Sequence, residues 1–366
     1  MALERLGPQR MRSVMVIDTT CKLGQMITQT SFYRNLRQAL PQSRITAALS
    51  KGNPGLYSGN PYRISVQETD YYNLRANDLL SLMSHDSVIC LPGSGCGYAD
   101  LSGFLAETFD FEYPVRIGDQ STLSNILGGN AFAFSMSVPG FREKVGFTHS
   151  YPHPHGFPHT GRYVGEIFNL PLTAMGINAE NFSPEMWMTD SDTAVAGRFF
   201  EKSGLSPEDH IIALNIGGAS CRWDIEKYAE LAGLISKDSV LGASKLLANF
   251  SRNEKGLYHR LIELTGLPVL PVPDGMSCGT LGALLAKTSY LFATDTGTAH
   301  IAQALGLAAT VIYPDRLRME SWLYPDCSAG INPIFPQDEM AAGVNQISAA
   351  EAFESMKNHI ILSGTL

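Results

Sequence analysis

Short apolar runs alternate with longer stretches of helical spacing in both halves of the chain. In the first half, a strand over 13–17 leads through a polar turn into a helix over about 26–40, which Pro41 ends. Further strands are predicted over 44–49 and 88–91. The order strand, helix, strand predicts a parallel sheet covered by helices.

The periodic pattern weakens in the middle of the chain. Residues 118–160 are rich in Gly, Pro, Phe and His and are predicted to form long loops. A helix is predicted over 161–177, with a break or kink at Pro171. Residues 178–192 are the best candidate for a linker between domains.

The second half repeats the alternation of apolar and helical stretches. Its predicted strands are 210–216, 245–248, 267–270, 290–293 and 309–313, and its predicted helices are 224–235, 254–265, 280–287 and 297–305. We therefore expect an α/β protein with two Rossmann-like domains whose parallel sheets face a central cleft. These domains would span 13–180 and 193–345, and a C-terminal helix within 346–366 would pack back on the first domain.

Composition narrows the class of protein. With 366 residues, 44% of them hydrophobic and 17% charged, the chain is long enough for two folded domains. A net charge of −8 argues against binding to nucleic acid. The six cysteines show no CxxC and no zinc-site spacing, which favours a reducing cytoplasm and no metal. Neither a signal peptide nor an apolar run of about 20 residues is evident, so we expect a cytoplasmic protein.

The most informative stretch is 290–306. An apolar strand breaks into the turn residues Thr294-Asp-Thr-Gly-Thr298 and then becomes an Ala-rich helix. A helix N-terminus at this place would bind an anion, above all phosphate, through backbone N–H groups and the helix dipole. His300, one turn into the helix, would add a donor. The alternative is an ordinary βα unit whose cap only stabilises the helix.

A second turn of this kind, Gly217-Gly-Ala-Ser220, follows the strand 210–216 and precedes Arg222. If the two strands are neighbours, both turns open on the same edge of the sheet. Glycine lets a backbone approach an anion closely, and an arginine neutralises it. A single turn of this kind is most simply interpreted as an ordinary surface turn. Two of them in one domain favour a binding site for a nucleoside diphosphate.

Several segments of this chain resemble the sequence motifs of a known protein family. The segment 212–231, with Gly-Gly-Ala-Ser before Arg222-Trp223, resembles the first donor-domain segment of the bacterial heptosyltransferases, glycosyltransferase family nine. Asp295-Thr-Gly-Thr-Ala-His300 resembles the most diagnostic motif of that family, and Met276-Ser-Cys-Gly-Thr-Leu281 lies at a similar distance upstream of it. The resemblance covers about 13–50 and 160–315.

This resemblance implies the two-domain GT-B fold and a nucleotide-sugar donor, typically ADP-heptose, held by the second domain. Thr296, Gly297 and His300 would contact the diphosphate, and Asp295 would cap the helix or contact the sugar. Arg222 would offset charge on the departing diphosphate, so that neither a metal nor a cofactor is needed. The remaining donor-binding residues that it implies are Gly218, Ser220, Glu254 and Met276, the last two beside the nucleoside; a core Met and a solvated Glu are their alternatives.

One position departs from the family. Its opening loop usually reads Leu-Gly-Asp, where the Asp is the general base, and this chain has Leu23-Gly24-Gln25. An amide is not basic near neutral pH, so Gln25 cannot be that base. Asp18 and Asp100 are the candidate replacements, although each is equally suited to a structural role. Otherwise the acceptor needs little activation, or the protein transfers sugar poorly.

The stretch 148–159 carries an unusual set of histidines among prolines. We expect His153, His155 and His159 to face the acceptor together with Gln25. A plain surface loop is the second alternative for this stretch, and a metal site is the third. The acceptor would be a carbohydrate, a glycolipid or a small molecule. A glycolipid would bring the protein to the inner face of the membrane as a peripheral partner.

Three functions compete. An inverting glycosyltransferase, favoured by the donor motifs, would move a heptose-like sugar to a hydroxyl acceptor. A binding or scaffold protein that has lost its base is favoured by Gln25. A nucleotide-sugar epimerase has the same two-domain architecture and would consume its substrate without an acceptor.

Overall fold

The computed structural model describes residues 11–18, 22–50, 54–69, 85, 87–91, 132–137, 149–152, 161–218, 221–337 and 343–366. These residues form two compact units. The first contains the described residues up to 160 together with Val164–Phe182, and the second contains Gly161–Tyr163 with Ser183–Leu366. The boundary between Phe182 and Ser183 lies within the stretch proposed as a linker.

The first unit contains a six-stranded sheet among its described residues. The strands are β1 (Ser13–Asp18), β2 (Arg44–Ser50), β3 (Ile64–Thr69), β4 (Ser87–Cys90), β5 (Phe132–Ser137) and β6 (His149–Pro152), and the helices are α1 (Leu23–Ala39), α2 (Val164–Phe168) and α3 (Leu170–Ala174). The strand order is β3-β2-β1-β4-β5-β6, and each neighbouring pair is parallel.

The second unit contains another parallel sheet of six described strands, in the order β12-β11-β10-β7-β8-β9. Its strands are β7 (Ile211–Asn215), β8 (Lys245–Asn249), β9 (Leu270–Pro271), β10 (Tyr290–Thr294), β11 (Ala309–Ile312) and β12 (Ile331–Ile334). Its helices are α4 (Asp190–Lys202), α5 (Ile225–Lys237), α6 (Lys255–Thr265), α7 (Cys278–Leu285), α8 (Gly297–Leu305), α9 (Arg316–Trp322) and α10 (Ala349–Ser363).

The two sheets share one topology. Counted in chain order within each unit, both run 3-2-1-4-5-6, which is the Rossmann order. The direction of winding reverses between the first and fourth strands, at β1 and β4 in one unit and at β7 and β10 in the other. Ligands of such sheets bind at this switch point, outside the carboxyl ends of the strands. The prediction of an α/β protein with parallel sheets is confirmed.

Three central strands of the second unit are apolar, as expected for strands that are buried on both faces of a sheet. Every residue of β7, β10 and β11 is buried. Trp223, Tyr228 and Phe292 pack edge to face or tilted in the core, with ring centroids 5.0–5.9 Å apart. Tyr228 also donates a hydrogen bond to the carbonyl of Asn215 at 2.6 Å, which fixes the end of β7.

Two predictions for the middle of the chain are wrong in part. The stretch 118–160 contains β5 and β6, where only loops were expected. The signal in β5 was Phe132, Phe134 and Met136 alternating with small residues, the period of a strand.

The break in the predicted helix 161–177 falls at Asn169 rather than at Pro171. The Asn169 side chain donates to the carbonyl of Gly165 and to Ser31, and accepts from Asn35, so it ties the break to α1. Pro171 lies in the first turn of α3, where a missing N–H leaves no hydrogen bond unmade.

The C-terminal helix α10 packs within the second unit. Its packing on the first domain stays a prediction. Its buried residues belong to the core of the second unit, and it contacts α5, β11 and β12. Asn332 of β12 donates to the hydroxyl of Ser355 at 2.8 Å and so joins strand and helix. Within the part of the chain that the structure describes, no helix is long and apolar enough to cross a membrane.

Candidate donor site in the second unit

The two predicted anion-binding turns lie side by side. Gly217 and Gly218 follow β7, Thr296 and Gly297 follow β10, and these two strands pair at the switch point of the sheet. The Asn215 side chain joins the turns, since its amide nitrogen donates to the carbonyl of Gly217 at 3.0 Å and to the hydroxyl of Thr296 at 3.1 Å. The prediction that both turns open on one edge is therefore confirmed.

A cluster of buried polar side chains is hydrogen-bonded to the residues of the two turns. The Asn249 amide donates to Asn215 Oδ1 at 2.6 Å and to Thr298 Oγ1 at 3.2 Å, and the Thr298 hydroxyl donates to Asn215 Oδ1 at 3.0 Å. Sequence reasoning missed both asparagines. The available signal was that each one ends an otherwise apolar strand, where a polar side chain is out of place unless it faces the sheet edge.

Both glycines of the first turn are required by close contacts. A Cβ on Gly217 would overlap the carboxylate of Glu254. A Cβ on Gly218 would lie 2.9 Å from a methyl carbon of Thr296, and the φ of Gly218 is 153°, a conformation that side chains disfavour. The backbone of this turn is thus packed directly against the second turn and against Glu254.

The second turn ends in the N-terminus of α8. Thr296 is the N-cap residue, and its carbonyl accepts from the amide of Ala299 at 3.0 Å. Its hydroxyl is occupied by Asn215 and by the carbonyl of Thr294 and does not cap the helix. Among the described residues, the amides of Gly297 and Thr298 meet no acceptor. Such amides, together with the helix dipole, favour an anion at this point.

Glu254 and Arg222 stand beside the first turn. Glu254 Oε1 accepts from the amide of Gly218 at 2.8 Å and from the Arg222 guanidinium at 3.3 Å, while Oε2 accepts from the hydroxyl and amide of Ser251. Burial raises the pKa of Glu254, but these hydrogen bonds and the charge of Arg222 outweigh it and leave the pKa lowered. The alternative of a merely solvated Glu254 is excluded. The Arg222 side chain is 48% exposed, so a ligand can reach it.

Asp295 is buried and paired. Its carboxylate accepts a hydrogen bond from Nε of Arg318 and lies 3.7 Å from Nε2 of His300, and its side chain is only 1% exposed. The predicted role of Asp295 as a helix cap is wrong, because Thr296 takes the N-cap position. Sequence reasoning also missed Arg318, which comes from α9 and lies outside the recognised motif.

His300 is a neutral, buried side chain. Burial lowers its pKa to about 4, with the Asp295 charge opposing and the Arg318 charge reinforcing that shift. Gln303 fixes the tautomer: its carbonyl oxygen accepts from the amide of Tyr324, so its nitrogen faces His300 Nδ1 at 3.4 Å and leaves the imidazole proton on Nε2. His300 also lies against Trp322, with ring centroids 5.3 Å apart.

The remaining predicted residues are scattered. Met276 is half-buried just before the N-cap of α7. In the first unit, Asp18 is fully buried at the end of β1, where Gln29 donates to it at 3.4 Å, and Gln25 is buried in the first turn of α1. Asp100, His153, His155, His159 and Ser220 lie outside the described residues. Among those described, no cluster of three His, Cys, Asp or Glu side chains is placed to hold a metal ion.

Solved structures with a similar fold include glycosyltransferases. A family 9 glycosyl transferase from Veillonella parvula superposes with a TM-score of 0.73 at 18% identity, over 96% of this chain and 98% of that one. The ADP-heptose LPS heptosyltransferase II of E. coli gives 0.65 at 14% identity, over 96% and 99% of the two chains. This chain has the heptosyltransferase-like GT-B fold.

A further structure with this GT-B fold is the E. coli heptosyltransferase WaaC with ADP, with a TM-score of 0.62 at 13% identity over 96% of this chain and all of that one. No family model and no curated protein matches the sequence. The GT-B fold that the resemblance implies is confirmed by these structures, at identities of 13–18%.

Proposed function

We propose that the protein transfers a sugar from a nucleoside-diphosphate sugar to a hydroxyl acceptor. The observation that carries this proposal is the pair of turns at the switch point of the second sheet, with unmet amides at the start of α8 and Arg222 beside the first turn. A diphosphate needs backbone donors at close range and a cation, and both are present here.

The leaving group of such a transfer is the nucleoside diphosphate, whose charge grows as the sugar departs. Arg222 and the dipole of α8 are suited to stabilise that charge, because stabilisation at the site of developing charge is the main electrostatic contribution to such catalysis. We therefore propose transfer without a metal ion. Turnover should persist in the presence of EDTA, and its loss, restored by a divalent cation, would contradict this part of the proposal.

ADP-heptose is our first candidate donor, because solved proteins of the same fold are an ADP-heptose heptosyltransferase and a heptosyltransferase with ADP. Glu254 and Met276 would border the nucleoside. A thermal-shift panel of ADP, GDP, UDP and their sugars tests this choice, since a ligand that binds only the folded protein raises its melting temperature. A larger rise with GDP or UDP than with ADP would replace the nucleotide but retain the class of donor.

The catalytic base is proposed to be Asp18. It lies at the carboxyl end of β1, at the switch point of the first sheet, which is where a ligand of that unit would bind. Gln25 supplies no base, and Asp100 remains the competing candidate. Asp18→Asn keeps the shape of the side chain, and we expect it to abolish transfer while donor binding is retained. Full transfer by this variant would move the role to another group.

An assay of nucleotide-sugar conversion, with and without an acceptor, separates the competing functions. With a cell-envelope extract as a source of carbohydrate and glycolipid acceptors, acceptor-dependent release of the nucleoside diphosphate supports a transferase. Conversion of the nucleotide sugar without any acceptor indicates an epimerase. Binding without conversion in either arm indicates a binding protein that has lost its base.

A further inference from the structure

A carboxylate of the protein occupies the first anion-binding turn. Glu254 Oε1 accepts a hydrogen bond from the amide of Gly218 at 2.8 Å and another from the Arg222 guanidinium at 3.3 Å. A backbone amide and a guanidinium are also the donors that a phosphate oxygen would use at this turn. The two donors are therefore already engaged by an anion that belongs to the chain itself.

The second carboxylate oxygen anchors Glu254 elsewhere. Oε2 accepts from the hydroxyl of Ser251 at 2.7 Å and from its amide at 3.0 Å, which closes a capping box at the short helix Arg252–Glu254. None of these bonds involves Gly218 or Arg222. Oε1 can therefore exchange its partners while Oε2 keeps the side chain next to the turn.

The charge of Glu254 offsets that of Arg222. Burial raises the pKa of Glu254, but the hydrogen bonds from Gly218 and Ser251 and the charge of Arg222 leave the pKa lowered, so the carboxylate is ionised near neutral pH. Glu254 is the only carboxylate that pairs with Arg222 among the described residues. A phosphate that arrives at this turn thus meets an occupied amide, a neutralised guanidinium and a like charge, which disfavours binding.

We propose that Glu254 competes with the diphosphate of the donor for the Gly218 amide and for Arg222, and thereby lowers the affinity of the site; this inference rests on the proposed function. A group tethered beside the turn competes at a high effective concentration. The diphosphate displaces Oε1 when it binds, and Oε1 regains both donors when the nucleoside diphosphate departs. Glu254 therefore favours release of the product, a step that limits the turnover of many enzymes.

Glu254→Gln tests the competition, because it keeps the size of the side chain and removes its charge. Titration calorimetry at constant ionic strength uses pyrophosphate, which carries no nucleoside, together with ADP, GDP and UDP. We expect the Kd to fall at least about threefold relative to the wild type, both for pyrophosphate and for the nucleotide that binds most tightly. Glu226→Gln is the matched control, since it removes the same charge from a side chain 61% exposed on α5, and it should bind as the wild type does.

A Kd that is unchanged or higher in Glu254→Gln would overturn this inference and leave the proposed function standing. Weaker binding of the nucleotide with unchanged binding of pyrophosphate would assign Glu254 to the nucleoside instead. If pyrophosphate binds neither protein, the Kd of the nucleotide decides. Failure of both proteins to bind any of the three nucleotides would overturn the inference and the proposed function together.

If Glu254→Gln does not fold, Glu254→Asp takes its place. An aspartate closes the capping box of α4, at Asp192, so the box at Ser251 can form again, but the side chain is one methylene shorter and is withdrawn from Gly218. A lower Kd for the nucleotide supports the inference, and an unchanged or higher Kd overturns it. Gly217→Ala is not a substitute for this variant, because its methyl group would also move the backbone of the turn.

Discussion

At the scale of single residues, the glycines of the first turn are the most constrained positions of the candidate site. Gly217→Ala would push a methyl group into the carboxylate of Glu254 and so disturb the hydrogen bond from Gly218. We expect a loss of about 1–3 kcal/mol in the free energy of unfolding, as for other overpacked positions. Gly233→Ala in the middle of α5 is the matched control, because nothing lies within 4 Å of its new Cβ, and it should stabilise by about 0.5–1 kcal/mol. Urea denaturation measures both, and equal effects would contradict the contact with Glu254.

His300 gives a second prediction at this scale. Its pKa is lowered to about 4 in the folded protein, against about 6.5 in an unfolded chain. The unfolded chain therefore takes up a proton first as the pH falls, and stability decreases between about pH 6.5 and pH 4. His300→Gln removes this proton uptake, so its stability should depend less on pH over that window. A slope equal to that of the wild type in urea titrations at several pH values would show that His300 is not buried as a neutral group.

The role of a residue could be predicted from the sequence only where that role depends on neighbours a few positions away in the chain. The sequence alone identifies the turn Asp295-Thr-Gly297 and the glycines at 217 and 218, because turn and cap residues act within a few positions of the chain. It does not identify the partner of Asp295, because Arg318 is 23 residues away and reaches Asp295 through the packing of α9. The expectation that Asp295 caps the helix was wrong because Thr296, the next residue, takes the N-cap position.

At the scale of elements, one carboxylate joins two helices. Asp192 in the first turn of α4 accepts from the amide and hydroxyl of Thr189, and also from the hydroxyls of Ser277 and Thr280 at the start of α7. Gly279 allows this approach, because a Cβ there would lie 2.5 Å from Asp192 Oδ2. The Asp192 carboxylate therefore accepts hydrogen bonds at the N-termini of both α4 and α7.

Asp192→Ala should cost about 1–2 kcal/mol in the free energy of unfolding, the range of a lost N-terminal cap. Asp190→Ala, two residues earlier at an exposed position of α4, should cost only a few tenths of a kcal/mol. Burial raises the pKa of Asp192, but the hydrogen bonds from Thr189, Thr280 and Ser277 prevail and lower it to about 2. Its contribution is therefore present above about pH 4 and lost as the pH falls through 2. A difference between wild type and Asp192→Ala that is as large at pH 2 as at pH 7 would contradict this account.

The elements of the second unit were largely predictable because β7, β10 and β11 are buried on both faces and read as unbroken apolar runs. In the first unit, β3 and β5 carry polar or small residues and were overlooked. The helix break at Asn169 was also hidden, since it depends on hydrogen bonds to α1 that no local pattern shows.

At the scale of the whole molecule, the same strand order is used twice, and each sheet has its own switch point. The sequence predicted the alternation of strands and helices, but the order of strands follows from which neighbours pair and cannot be read from periodicity. That order places the Gly217–Gly218 turn beside the start of α8, and it places Asp18 at the corresponding point of the first unit. We propose that the first of these positions is a nucleoside-diphosphate site.

Titration calorimetry of ADP, GDP and UDP into the wild type and into folded Gly217→Ala tests for this site. We expect at least one of these nucleotides to bind the wild type with one-to-one stoichiometry. Gly217→Ala should weaken its binding at least about tenfold because Glu254 and the turn are displaced. No binding of any of the three, or equal binding by both proteins, would contradict the proposal.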